Sequence, residues 1–232
     1  MLTPLIEQLA GGRAPWLPGS RVKIIAGHCL EASDRRLKVV REVPGGALPG
    51  KSLVVYEPAH GLVRDVLPCE DGHAQERSLL GRVLETVQVH DLWRQDRNCC
   101  PCAFLCEIDR RGACFITRQP EGLPFEVVRA LRPVGRSETG HVAEQRVQVW
   151  DAQGGAHLFR RLRVKRDQAT RDGDRVLSLL TNVPLRQASA KRVARFYRKR
   201  WTLETAFQHL EAYFHSEIGY PLKAGHFMPS MT

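Results

Sequence analysis

The order of apolar runs in the first half of the chain constrains its fold more than any other feature. A β-rich run, Val22-Lys23-Ile24-Ile25, is followed by two more, Ser52-Leu53-Val54-Val55-Tyr56 and Gly61-Leu62-Val63-Arg64-Asp65-Val66-Leu67. Pro58-Ala59-His60-Gly61 between the latter two is a turn signal, so they read as a hairpin. Residues 74–87 then place Leu79, Leu80, Val83, Leu84 and Val87 at helical spacing. A short strand from Asp91 into Asp96, a helix over 103–109 ended by Arg110-Arg111-Gly112, and a strand over 113–117 complete the series. Strand, hairpin, helix, strand, helix, strand is the order of a mixed α/β sheet.

From 124 to 184 the texture changes. Strand-like runs at 125–131, 144–151, 158–165 and 176–180 are separated by turns such as Gly154-Gly155 and Asp172-Gly173-Asp174. This β-rich, charged segment between the sheet and the last helix reads as an insertion, too short for a second domain.

The last helix is the most legible element, over 189–214. Ser189 is placed to cap it. Val193, Phe196, Leu203, Phe207, Leu210 and Phe214 form its apolar stripe, edged by Tyr197, Arg200, Glu204, Gln208 and Glu211. Its first half carries Lys191, Arg192, Arg195, Arg198, Lys199 and Arg200, interleaved with Phe196, Tyr197 and Trp201. Such a run is either a solvated face or a nucleic-acid surface, and the aromatic interleaving favours the second. The whole chain agrees: 35 Lys plus Arg against 25 Asp plus Glu give +10 and a pI near 9.6, which points to a polyanionic partner.

With 43% hydrophobic and 26% charged residues the chain builds a core, which excludes a disordered, collagen-like or coiled-coil protein. No run approaches the roughly 18 apolar residues of a membrane span, and residues 1–12 lack the pattern of a secretory signal. Seven cysteines without a secretory signal argue against a disulfide framework. Cys99-x-x-Cys102 with Cys106 could hold zinc or an iron–sulfur cluster, with His90 and Cys114 as the nearest further ligands. The alternative is reduced thiols packed as small hydrophobes.

In Tyr197-x-x-Arg200-x-x-x-Glu204 the tyrosine and glutamate lie two helical turns apart on one side. With the preceding Thr181-Asn182-Val183-Pro184 and 190–204, this motif resembles the signature of bacterial DDE-type insertion-sequence transposases, Tyr-x2-Arg-x3-Glu-x6-Lys, of the insertion-sequence-four-like kind. Residues 48–56, 69–76 and Asp91-Leu92-Trp93-Arg94-Gln95-Asp96-Arg97-Asn98 look like the same family, so the resemblance spans about 21–220.

The resemblance implies a ribonuclease-H-like mixed sheet flanked by helices, formed by 21–123 and 185–220, with a β-rich insertion at 124–184 and tails at 1–20 and 221–232. It implies two-metal DNA strand cleavage and transfer on the double-stranded ends of an insertion sequence, using two Mg2+ ions held by hard oxygen ligands. Asp96 and Glu204 match the second and third carboxylates, which should come within about 8 Å of each other to share the ions. Tyr197, Arg200, Lys191, Arg192, Arg198, Lys199 and Trp201 match a DNA-binding surface. A cytoplasmic, nucleoid-associated protein and a homodimer would fit the family.

Two positions depart from the signature. The first carboxylate belongs on the opening strand, where this chain has Ala26-Gly27-His28. His28 shares the face of Ala26, but imidazole is a poor magnesium ligand. Glu211 stands in place of the terminal lysine. With the short length, these point to a truncated copy with impaired cleavage. Three functions follow as alternatives: a transposase, a non-catalytic DNA-binding remnant of one, or an unrelated basic module with a cysteine-held metal.

Overall fold

A computed structural model describes residues 17–29, 51–69, 76–95, 101–169 and 173–198. Among these, the β-branched runs form nine strands: β1 (Arg21–Cys29), β2 (Lys51–Glu57), β3 (Leu62–Cys69), β4 (Asp91–Gln95), β5 (Cys114–Arg118), β6 (Glu126–Ser137), β7 (Gly140–Trp150), β8 (Ala156–Arg166) and β9 (Val176–Thr181). They make one sheet in the order β3-β2-β1-β4-β5-β9-β8-β7-β6. The β2–β3 hairpin pairs antiparallel with itself and with β1, whereas β1, β4 and β5 run parallel. The strands β9, β8, β7 and β6 then extend the sheet beyond β5 by antiparallel pairing. The expected mixed α/β sheet is therefore present.

Side chains alternate between the two faces of each strand, and each face is covered by helix. On one face, Leu80 and Val83 of α1 (Leu80–Glu85) and Phe104, Leu105 and Ile108 of α2 (Cys102–Arg110) pack with Ile25, Trp93 and Phe115. On the other, Val193, Phe196 and Tyr197 of α3 (Ala190–Arg198) pack with Val22, Leu92 and Ile116. Among the described residues no helix is long and apolar enough to cross a membrane.

Two of the boundaries that differ from those read in the sequence have a local cause. The helix at 74–87 is a 3-10 turn, Glu76–Leu79, followed by the short α1. It stops because the Thr86 hydroxyl donates to the Val83 carbonyl at 2.8 Å while the Thr86 and Val87 amides make three-residue turns. The strand expected to end at 131 runs on to Ser137, through Pro133 and Gly135. Proline is tolerated because β6 is the sheet's edge strand, where one row of amides needs no partner, and the pairing is bulged on both sides of it. The hairpin to β7 closes on Gly140 at φ +147°, where a Cβ would stand 2.0 Å from the Lys165 carbonyl oxygen, so only glycine fits.

The segment Thr181-Asn182 of the family motif has a structural job. The Thr181 hydroxyl donates to the Phe115 carbonyl at 2.5 Å, and the Asn182 carboxamide accepts from the Phe115 amide at 2.8 Å. Asn182 Nδ2 also donates to Asp109 at 2.8 Å and to the Ala113 carbonyl at 2.9 Å. These bonds tie the end of β9 to the α2–β5 junction, joining the 124–184 segment to the sheet.

Candidate nucleic-acid interface and catalytic motif

The parallel pair β1–β4 runs through the centre of the sheet, with Val22 opposite Leu92 and Ile24 opposite Arg94. Alternation along β1 places Ala26, half-buried and paired with Val54 of β2, on the same face as Val22, the face covered by α3. Arg94 lies on that face of β4, 1% exposed, and its Nη2 donates to the Tyr197 carbonyl of α3 at 3.5 Å. Strand β4 and helix α3 are thus joined on the face that also carries Ala26.

On α3, Ser189 caps the first turn: its hydroxyl accepts from the Arg192 amide at 3.3 Å, and its carbonyl from the Val193 amide at 2.9 Å. Val193, Phe196 and Tyr197 are buried beneath the helix, while Lys191, Arg192, Arg195 and Arg198 face outward. The Arg192 guanidinium stands 5.4 Å from the Phe196 ring centre. Glu138, in the β6–β7 turn, pairs with Arg195 at 3.2 Å and Arg198 at 2.8 Å. Glu138 and Arg94 were not picked out by the sequence reading, although Arg94 lies inside the motif around Asp96.

Asp96, Lys199, Arg200, Trp201 and Glu204 lie outside the described residues, as do Cys99 and Cys100. Tyr197 sits at the rim of the buried face of α3 and is itself 8% exposed. Lys191, Arg192 and Arg198 occupy the exposed face of the same helix.

Among the described residues no group of three or more His, Cys, Asp or Glu side chains could hold a metal ion. The Ala26 side chain offers no oxygen donor. Cys102 and Cys106 lie one turn apart on α2, their sulfurs 3.8 Å from each other. Burial, with the Cys102 thiol alongside, pushes the Cys106 thiol up to about 12, and burial with Asp109 nearby pushes Cys114 up to about 11. A metal ligand must be a thiolate, so burial works against ligation here. Cys106 packs on the α1–α2 face and Cys114 against the α3 face, with the sheet between them. His90 is exposed in the turn before β4, at φ +70°.

The sheet holds the parallel strands β1, β4 and β5, and the cationic helix α3 packs on one of its faces. The family model of the transposase DDE domain matches residues 49–218, and the chain belongs to that family. Its members are DNA phosphoryl-transfer enzymes that act on DNA and generally use divalent metals. No curated protein matches the chain.

Proposed function

We propose that the chain is a bacterial insertion-sequence transposase of the insertion-sequence-four-like kind, with impaired strand cleavage. In this reading 21–123 and 185–220 form a ribonuclease-H-like core and 124–184 is its β-rich insertion. Asp96 and Glu204 are the second and third carboxylates of the motif. Tyr197 and Arg200 hold DNA phosphates beside them, arginine making the two-pronged contact that lysine cannot. Lys191, Arg192, Arg198, Lys199 and Trp201 extend that contact along the duplex. When bound, divalent magnesium supplies charge stabilisation at the phosphorus undergoing displacement.

One observation carries the reading. The β1–β4 register pairs Ile24 with Arg94, and two residues further along the sequence from each come Ala26 and Asp96. A register continued by two more residues would bring the two positions together, as the first and second carboxylates of one site require. The strand order β3-β2-β1-β4-β5, with β1, β4 and β5 parallel, supports the ribonuclease-H-like assignment.

Ala26 also carries the reading of impairment. A methyl group replaces the anion that would offset two adjacent cations, so the site is short of one ligand. The same residue favours the second reading, a non-catalytic DNA-binding remnant. Nicking of duplex DNA bearing insertion-sequence ends, measured with and without Mg2+, tests both. The expected result is little nicking by the wild-type chain, a marked gain in Ala26→Asp, and loss of that gain when Glu204→Gln is added. Strong magnesium-dependent nicking by the wild type overturns the impairment. An Ala26→Asp variant that binds DNA yet gains no nicking overturns the assignment of the site.

A further inference from the structure

The β6–β7 hairpin belongs to the segment that the motif does not use, yet it faces α3 across an open cleft of about 600 Å³. Arg136 and Ser137 of β6 line one side; Ser189, Lys191, Arg192 and Arg195 line the other, and Phe196 adds an aromatic wall. Among the described residues that line it there is no carboxylate. Four cations from two elements far apart in sequence therefore converge on one concave surface. Lys191 crosses the hairpin at Gly135, its Nζ standing 3.7 Å from where a Cβ would be, and Gly135 takes φ +114° there. Like charges gathered so closely raise the local potential, and an entering anion relieves it.

The surrounding acids sit at the rim. Asp167 pairs with Arg136 at 2.6 Å, and Glu138 pairs with Arg195 and Arg198. Each of these pairs is open to water on both partners, with Arg136 58% and Arg195 62% exposed. Exposed pairs of this kind are weak and readily exchanged for another anion.

We propose that this cleft binds a backbone phosphate of duplex DNA. Arg136 of the hairpin grips it from one side and Lys191 and Arg192 of α3 from the other, while the Ser137 and Ser189 hydroxyls are within the same lining. Glu138 is the internal anion that DNA displaces from Arg195 and Arg198. The cations continue along the outer face of α3 through Arg195 to Arg198, more than one phosphate can neutralise, which favours a polyanion strand over a free phosphate. This rests on the DNA-binding reading above and gives the 124–184 segment a direct part in it.

Equilibrium binding of the 232-residue chain to a fluorescent DNA duplex across a range of NaCl concentrations tests the proposal. Arg136→Ala and Lys191→Ala should each reduce the slope of log affinity against log salt by about 1. Arg82→Ala, on α1 at the opposite face, should leave the slope unchanged. Glu138→Gln should tighten binding by about two- to fivefold, a gain that damaged folding does not produce. Inorganic phosphate should compete only weakly. An unchanged slope in Arg136→Ala and Lys191→Ala, with the wild type binding normally, overturns the cleft and leaves the DNA reading intact. Weaker binding by Glu138→Gln also overturns it. A wild-type chain that fails to bind duplex DNA removes the DNA-binding reading and this contact together.

Discussion

The guanidinium of Arg94 donates to the main-chain carbonyl of Tyr197 at 3.5 Å, tying the end of β4 to α3 within the sheet–helix interface. The two residues precede the proposed site carboxylates in sequence: Asp96 follows Arg94 by two, and Glu204 follows Tyr197 by seven. A charged side chain at 1% exposure is costly to bury. Its place here couples the strand and the helix whose relative position any shared site between Asp96 and Glu204 depends upon.

Arg94→Ala removes both this tie and the volume of a long buried side chain. The expected loss of stability is about 2–4 kcal/mol, from the cavity and the lost strand–helix tie. Urea unfolding measures it. A loss below about 1 kcal/mol would show that the β4–α3 junction does not depend on Arg94.

Asp91 holds the opposite end of the same strands. Fully buried, it accepts from Lys23 at 2.8 Å, from Arg21 at 3.0 Å and from the Gln88 amide at 2.9 Å. Asp91→Ala strands the buried Lys23 ammonium and should lower stability by about 3–5 kcal/mol. Adding Lys23→Met should recover part of that loss in the same unfolding experiment, because the stranded charge is gone. A double variant no more stable than the single one argues against this account.

Asp151 sets an acid limit on stability. The Gly155 amide at 2.8 Å, then Arg110, His157 and the Gln153 amide, hold its carboxyl well below the usual carboxylate range. Its folded value lies below its unfolded one near 4, so the ionised form favours folding. That contribution is complete above about pH 5 and is lost as pH falls through the folded value. Thermal melting should therefore show a Tm decline beginning below about pH 4–5 that is shallower in Asp151→Asn, with Asp151→Asn less stable than wild type at neutral pH. Parallel declines in the two proteins would exclude Asp151 as the source.

Much of the fold was legible from local pattern. The β2–β3 hairpin, α2 and the Ser189 cap follow from turn residues and periodicity, which act over a few residues. Pro133 and Gly135 hid the second half of β6, because their usual meaning as breakers lapses on an edge strand. The spacing of Cys99-x-x-Cys102 with Cys106 was open to a metal clamp, with packed thiols the favoured reading. Burial of Cys106 in the α1–α2 core and separation of Cys114 by the sheet favour packed thiols for the described cysteines. The cleft was not legible, since Arg136 is an ordinary arginine in sequence and becomes notable only when the hairpin folds back over α3.

The sequence by itself determined the element types, the cationic helix and the family motif, because each depends on residue types at short, regular spacings. Only the tertiary structure decided that β9 pairs with β5, that Ala26 lies on the sheet face covered by α3, and that Arg136 and Lys191 line one cleft. Those are contacts between residues distant along the chain, selected by which apolar faces pack best together, and no local spacing encodes them.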